Sequence, residues 1–173
     1  MIELKEITWQ NSDTVMKLKV AESQKNFVAD NTYSLAQAYC SLKEDKFPLT
    51  PLAIVSSDEV VGFLMFDYKG EERKEDGDEY LTDALYYDIW RFMIDKKHQG
   101  KGYGKDAMLK FIEYVKTQPQ GPADAIYICY DFDNIGAKKL YESVDFTETG
   151  QVVDEEIIAF LKVGQIESTE RNN

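Results

Sequence analysis

Between residues 99 and 105 the chain reads Gln99-Gly100-Lys101-Gly102-Tyr103-Gly104-Lys105, three alternating glycines set between a strand-like apolar run and an amphipathic helix. No other stretch limits the fold so tightly, because the backbone must leave a strand, turn sharply and restart as a helix within a few residues. Glycine lets the backbone turn its N–H groups inward with no Cβ in the way, and the helix start adds unpaired donors at the positive end of its dipole. The segment reads as a cradle for an anion such as a pyrophosphate. Four lysines and no acid lie from Lys96 to Lys105. A solvated basic loop is the plain alternative, and the coincidence with the glycines favours the anion site.

Spacing removes two other glycine templates. A dinucleotide fingerprint needs glycine at the sixth position, which Lys105 occupies, and a nucleotide-triphosphate loop needs Ser or Thr after Gly-Lys, where Asp106 follows Lys105. Composition narrows the class further. With 173 residues, 43% hydrophobic and 13% aromatic, the chain can bury one core, and a single domain over residues 1–165 with a polar tail at 166–173 is expected. No apolar run approaches the roughly 20 residues that cross a bilayer, and residues 1–6 have neither a basic region nor an apolar signal core, so a cytoplasmic protein with no membrane partner is expected. A formal net charge of −12 argues against nucleic acid, which needs a basic footprint. Cys40 and Cys129 lie far apart in apolar surroundings and read as reduced, buried thiols. His98 is the only histidine. It has no second imidazole for a zinc site or a hydrolase triad, so chemistry without a metal is expected.

The pattern along the chain predicts a helix over residues 12–25, with Val15, Leu18 and Ala21 inward, and a second from residue 31 or 32 through Leu35, Ala38, Tyr39 and Leu42. Residues 52–55 and 60–66 read as a hairpin across the polar spacer 56–59. The acid-rich stretch 69–83 is either a solvated loop or an electrostatic lure. A long strand over 85–94 runs into the cradle, a helix over 102–116 follows with Met108, Ile112 and Val115 on one face, and then come a strand at 125–130, a short helix at 135–143 and strands at 144–148 and 157–163. This order suggests one mixed α/β sheet with helices on both faces.

Residues 99–104 match the pattern Q/R-x-x-G-x-G/A, and Asn134 followed seven residues later by Tyr141 supplies a second, separated match. Together with the element order these resemble the GNAT superfamily, the Gcn5-related N-acetyltransferases, over residues 1–163. The resemblance implies an acyl-CoA N-acyltransferase fold, a central, mostly antiparallel sheet flanked by helices, with acetyl-CoA as cosubstrate and a homodimer as the assembly. It implies that the backbone of Phe92, Met93 and Ile94 runs beside the pantetheine arm as an added strand would. Gln99, Gly100, Lys101, Gly102, Tyr103, Gly104 and Lys105 would surround the pyrophosphate, Asn134 would contact the cofactor from the next helix, and Tyr141 would protonate the departing thiolate. Residues 89–95, with Val61-Gly62-Phe63 upstream, are most similar to the bacterial spermine/spermidine acetyltransferase branch, which implies a small cationic polyamine as acceptor. An acidic chain would steer such a polycation inward. A protein N-terminus or an aminoglycoside as acceptor, or a regulator that binds acetyl-CoA without turnover, stays open.

Acetyl transfer needs a neutral nitrogen, whereas an alkylammonium resembles lysine, with a pKa of about 10. Asp88 is the candidate proton acceptor, acting through water. It lies two residues before Trp90, the position at which the animal polyamine acetyltransferases this chain resembles carry a glutamate base, and strict alternation would put both on one side of the strand. Binding an ammonium, or pairing with Arg91 or a lysine, are its other open roles. Tyr141 could instead pack on the sheet, and Trp90, Tyr86 and Tyr87 either wall an amine pocket or pack there too.

Overall fold

The computed structural model describes residues 1–44, 48–70 and 84–163. Ser57 and Asp58 both take left-handed backbone angles, φ 49° and 66°, as a two-residue hairpin turn demands, and they join β2 (Thr50–Ser56) to β3 (Glu59–Lys69). Asp154 and Glu155, at φ 48° and 70°, do the same between β6 (Thr147–Val153) and β7 (Glu156–Lys162). With β1 (Ile2–Glu6), β4 (Tyr86–Ile94) and β5 (Ala125–Asp131), the sheet has seven strands in the order β1-β2-β3-β4-β5-β7-β6. Only β4 and β5 run parallel, because the chain passes between them through a helix, α3 (Tyr103–Lys116), and such a crossover delivers a parallel neighbour. The sheet is thus mixed and mostly antiparallel, as expected.

One face carries α3 and α4 (Ile135–Glu142), with Phe111 of α3 against Phe66 of β3 at 5.0 Å between ring centroids. The other carries α1 (Ser12–Lys17) and α2 (Asn31–Glu44), packed over Phe63, Met65 and Met93. Among the described residues no helix is long and apolar enough to cross a membrane.

Five expectations change. The helix expected over 12–25 stops at Lys17, and a 3-10 turn at Glu22–Gln24 follows. Tertiary bonds claim the backbone that would have continued it: Lys19 N–H donates to Asp95 Oδ2 at 2.9 Å, and Lys19 O accepts from Lys96 N at 2.8 Å. In α2 the inward face is Asn31, Ser34 and Ala38, with Leu35 half-buried, whereas Tyr39 and Leu42 point to solvent. Cys40 is exposed as well, two residues and about 200° around the helix from Ala38. The strand expected at 144–148 begins only at Thr147, because residues 144–146 close α4 instead. Asp145 is left-handed (φ 70°), Phe146 N–H reaches Tyr141 O at 3.1 Å and Asp145 N–H reaches Glu142 O at 3.2 Å, a Schellman motif. β1 had no place in the sequence reading, although Ile2 and Leu4 alternate with Glu3 and Lys5 and pack into the main core. Residues 71–83 of the acidic stretch and the tail at 166–173 lie outside the described residues.

Two irregularities in β4 prepare the site. Ile89 pairs with Phe66 and Arg91 with Met65, so Trp90 is an extra residue, a bulge. The side facing α3 accordingly switches from Tyr87 and Ile89 to Phe92 and Ile94, so the alternation breaks between Ile89 and Phe92. Pairing with β5 runs only from Tyr86↔Ala125 to Ile89↔Ile128 and then ends, leaving the C-terminal half of β4 without a strand on that side. Tyr86 and Tyr87 are core residues, the latter donating through Oη to Gly121 O at 3.0 Å.

Gly62 of β3 lets β4 approach: a Cβ there would lie 2.5 Å from Met93 O and 2.8 Å from Ile94 Cδ1. Since the nearer atom is backbone, Gly62→Ala must push the strands apart. The expected cost is about 1–3 kcal/mol, read as a lower urea midpoint; an unchanged midpoint would show that the strands separate freely.

Candidate active site

Where β4 ends, Asp95 ties down the turn that follows. Its buried carboxylate accepts from Lys19 N–H through Oδ2 and from Lys97 N–H through Oδ1, each at 2.9 Å, while its carbonyl accepts from His98 N–H at 2.7 Å and Gln99 N–H at 3.2 Å. Gln99 then reaches back: Nε2 donates to Ile94 O and to Gln24 Oε1, each at 2.9 Å. Gln99 thereby fastens the loop to β4, and the carbonyl of Ile94 is already engaged.

Past this clamp Gly100 and Gly102 are left-handed, φ 73° and 85°, and a Cβ at either would meet nothing within 4 Å. Backbone conformation, not space, requires glycine there. Gly104 is different, with ordinary contact distances of 3.5 Å to Leu140 and 3.7 Å to Ile94 for an added Cβ. The first helical bond runs from Asp106 N–H to Gly102 O at 3.1 Å, so the N–H groups of Tyr103, Gly104 and Lys105 precede it and find no acceptor among the described residues. These donors sit at the positive end of a 14-residue helix. Lys101 and Lys105 are exposed beside them.

Beneath the loop lies a cavity of about 290 Å³ walled by Phe92, Met93 and Ile94 of β4, by the loop from His98 to Gly104, and by Asn134 and Tyr141. A second cavity of about 410 Å³ opens on the other side and contains Asp88, Trp90, Arg91, Tyr130 and Glu156. Phe27, Val28, Phe92, Asn134 and Tyr141 belong to both walls. The first cavity fits an elongated group with an anionic end, since free N–H donors stand at one end and an unpaired strand edge along its side. Asp88 and Trp90 share the second cavity.

Tyr141 is held at this junction from both directions. Its ring lies 5.4 Å from that of Tyr130 and 5.9 Å from that of Phe146, the contact that closes the Schellman motif. Burial, then Tyr130 and Glu156, raise its pKa above that of an ordinary phenol, so it stays protonated through the neutral range and serves as a donor. Tyr130 donates to Glu148 at 2.8 Å, and Lys138 lies 2.6 Å from the same oxygen; burial first and Glu148 second raise Tyr130, while Lys138 lowers Glu148. Asn134 caps α4, its Oδ1 accepting from Ala137 N–H at 3.1 Å, and the residue lines both cavities. Arg91 donates to Trp90 O at 2.6 Å and to Gln37 Oε1 at 3.2 Å rather than to Asp88. Desolvation lowers its pKa and Glu156 opposes that shift.

Glycine spacing and the Asn134–Tyr141 interval lead to the cradle and the junction. Gln24, Phe27 and Val28, between α1 and α2, reach the same cavity through long-range contacts, among them the Asp95 and Gln99 bonds and the packing of Val28, and their local pattern carries no trace of it. Glu156 is brought in by the β5–β7 pairing.

The model of the acetyltransferase (GNAT) family matches residues 13–146. A spermine/spermidine N(1)-acetyltransferase of Bacillus subtilis (strain 168) is 26% identical over 153 residues, 87% of this chain and 91% of the relative. Among solved structures, aminoglycoside acetyltransferase AAC(6')-Ib with coenzyme A and kanamycin superposes with a TM-score of 0.70 at 16% identity, covering 94% of this chain and 95% of the other. A spermidine/spermine N-acetyltransferase of Vibrio cholerae gives 0.64 at 14% identity, with the same coverage. Both structural likenesses establish the fold.

Removing the Asp95 clamp leaves the amides of Lys19 and Lys97 without their acceptor. Asp95→Ala is expected to cost about 1–3 kcal/mol in chemical denaturation and to speed hydrogen exchange at those two amides; unchanged exchange would assign the turn's rigidity to its backbone bonds alone.

Proposed function

The chain belongs to the acetyltransferase (GNAT) family, and on that premise we propose that it transfers an acetyl group from acetyl-CoA directly to a primary amine of a polyamine such as spermidine or spermine. The observation that carries this reading is the meeting of two cavities at Tyr141, one under a cradle of free N–H groups and one containing carboxylates. The similarity to a bacterial spermine/spermidine acetyltransferase supports the acceptor class. So does the charge of the second cavity, where Asp88 and Glu156 outnumber Arg91, in a chain of net charge −12.

When bound, acetyl-CoA supplies a thioester whose carbonyl is open to attack and whose sulfur can leave. In this reading the N–H groups of residues 100–105 hold its pyrophosphate, Lys101 and Lys105 add charge at the rim, and the open edge at Phe92 and Met93 carries the pantetheine amides. A backbone N–H beside Met93 polarises the reacting carbonyl, a contribution of a few kcal/mol. The acceptor enters as an ammonium, so Asp88, through water, takes one proton before the nitrogen–carbon bond forms; as the carbon–sulfur bond breaks, the nitrogen sheds a second proton, which goes to the departing thiolate. Tyr141 donates a hydrogen bond to the sulfur as negative charge collects there. Its raised pKa favours stabilisation by that bond over early release of the proton.

Coenzyme A release measured across spermidine, spermine, an N-terminal peptide and an aminoglycoside is expected to be fastest with the polyamines; peptide preference would overturn the acceptor class. Tyr141→Phe is expected to lower kcat by about 100-fold or more with KM nearly unchanged, and Asp88→Asn to abolish the limb of the pH–rate profile that reports deprotonation. Full turnover of the first at saturating substrate would remove the acid role, and an unchanged profile of the second would remove the base.

A further inference from the structure

Glu156 stands on the wall of the acceptor cavity formed by β7 and has no part in the steps above. Among the described residues no hydrogen bond or ion pair engages its carboxylate. Its strand partner on β5 is Asp131, and Asp154 precedes it in the hairpin turn, so it stands among like charges rather than opposite a cation in contact. Arg91 shares the cavity and acts on Glu156 through its charge, but its hydrogen bonds go to Trp90 O and Gln37.

The pairing registers set how far apart the two residues' backbones stand. Asp88 is level with Tyr127 of β5, and Glu156 with Asp131 of the same strand. Four residues along a strand span about 13 Å, and β5 lies between β4 and β7, so the two backbones are also two strand spacings, about 10 Å, apart across the sheet. Both side chains stand in the wall of one cavity, so an acceptor that meets both carries its cationic nitrogens at separate points of an extended chain.

We propose that Glu156 is a specificity-determining residue that anchors the distal, non-reacting ammonium of the acceptor, so that amines with a second charge several ångströms from the reacting nitrogen are selected over monoamines. This deepens the polyamine reading and rests on it. The electrostatic surroundings agree. Partial burial, although solvent reaches it, raises the pKa of Glu156; Arg91 of β4 opposes this, and Asp131 and Asp154 push the same way as burial. A cation arriving there relieves the repulsion. The anchor is charged above its pKa, and because that pKa is raised it is lost on acidification sooner than an ordinary glutamate would be. Tyr141 of α4 also feels this carboxylate and remains a neutral phenol throughout.

The test compares 1,8-diaminooctane with n-octylamine, which differ by one terminal ammonium, together with spermidine. The wild-type enzyme is expected to favour the diamine, and Glu156→Gln to raise KM for the diamine and spermidine about tenfold while leaving KM for octylamine and kcat for all three nearly unchanged. Glu156→Asp should recover part of the difference, and the wild-type KM for the diamine should rise with salt more steeply than that for octylamine. Equal effects of Glu156→Gln on both amines, or a fall in kcat common to them, would overturn the anchor and leave the polyamine reading standing. A wild-type enzyme that acetylates neither spermidine nor the diamine would overturn both.

Discussion

Past Ile89 the backbone of β4 loses its β5 neighbour, and the edge it leaves has to be satisfied by something other than a strand. Buried backbone donors and acceptors without partners are expensive, so such an opening persists only where the surroundings hold it. Here β3 holds the other edge through Gly62, where glycine allows close approach, and the bulge at Trp90 turns the strand as pairing ends. Gln99 takes one of the freed acceptors, the carbonyl of Ile94. What remains forms the side of a cavity, and α4 and the segment between α1 and α2 are arranged around it.

Charge is distributed in keeping with this opening. The cradle concentrates lysines and unpaired N–H groups in an otherwise acidic chain, a combination that attracts an anion to one end of the cleft. Carboxylates line the cavity on the other side of Tyr141. The tyrosine is kept neutral by burial and by the negative groups near it, so the boundary between the two regions carries a proton donor rather than a charge. Its position comes from the end of α4, where the left-handed Asp145 turns Phe146 back onto its ring.

Much of this was legible along the chain, element by element. The hairpin around Ser57-Asp58, the amphipathic α3 and the glycine turn depend on contacts between near neighbours, and each was readable from spacing. Departures had more than one source. Asp95, far away in sequence, stopped the first helix by accepting the amide of Lys19. The strand expected at Val144 gave way to a local helix ending, because its residues bond back to Tyr141 and Glu142. Alternation along β4 broke between Ile89 and Phe92 because a bulge depends on the register of two strands.

By itself the sequence determined which backbone conformations were available and where charge would be found: glycines before a helix, lysines around them, a tyrosine seven residues beyond an asparagine, carboxylates in excess elsewhere. Only the tertiary structure decided which of these face one another. Strand pairing opened the cleft, joined the cavities at Tyr141 and carried Glu156 to the wall shared with Asp88. The reason is physical: torsion preferences and caps act over a few residues, whereas the register of a seven-stranded sheet is set by the packing of the whole core.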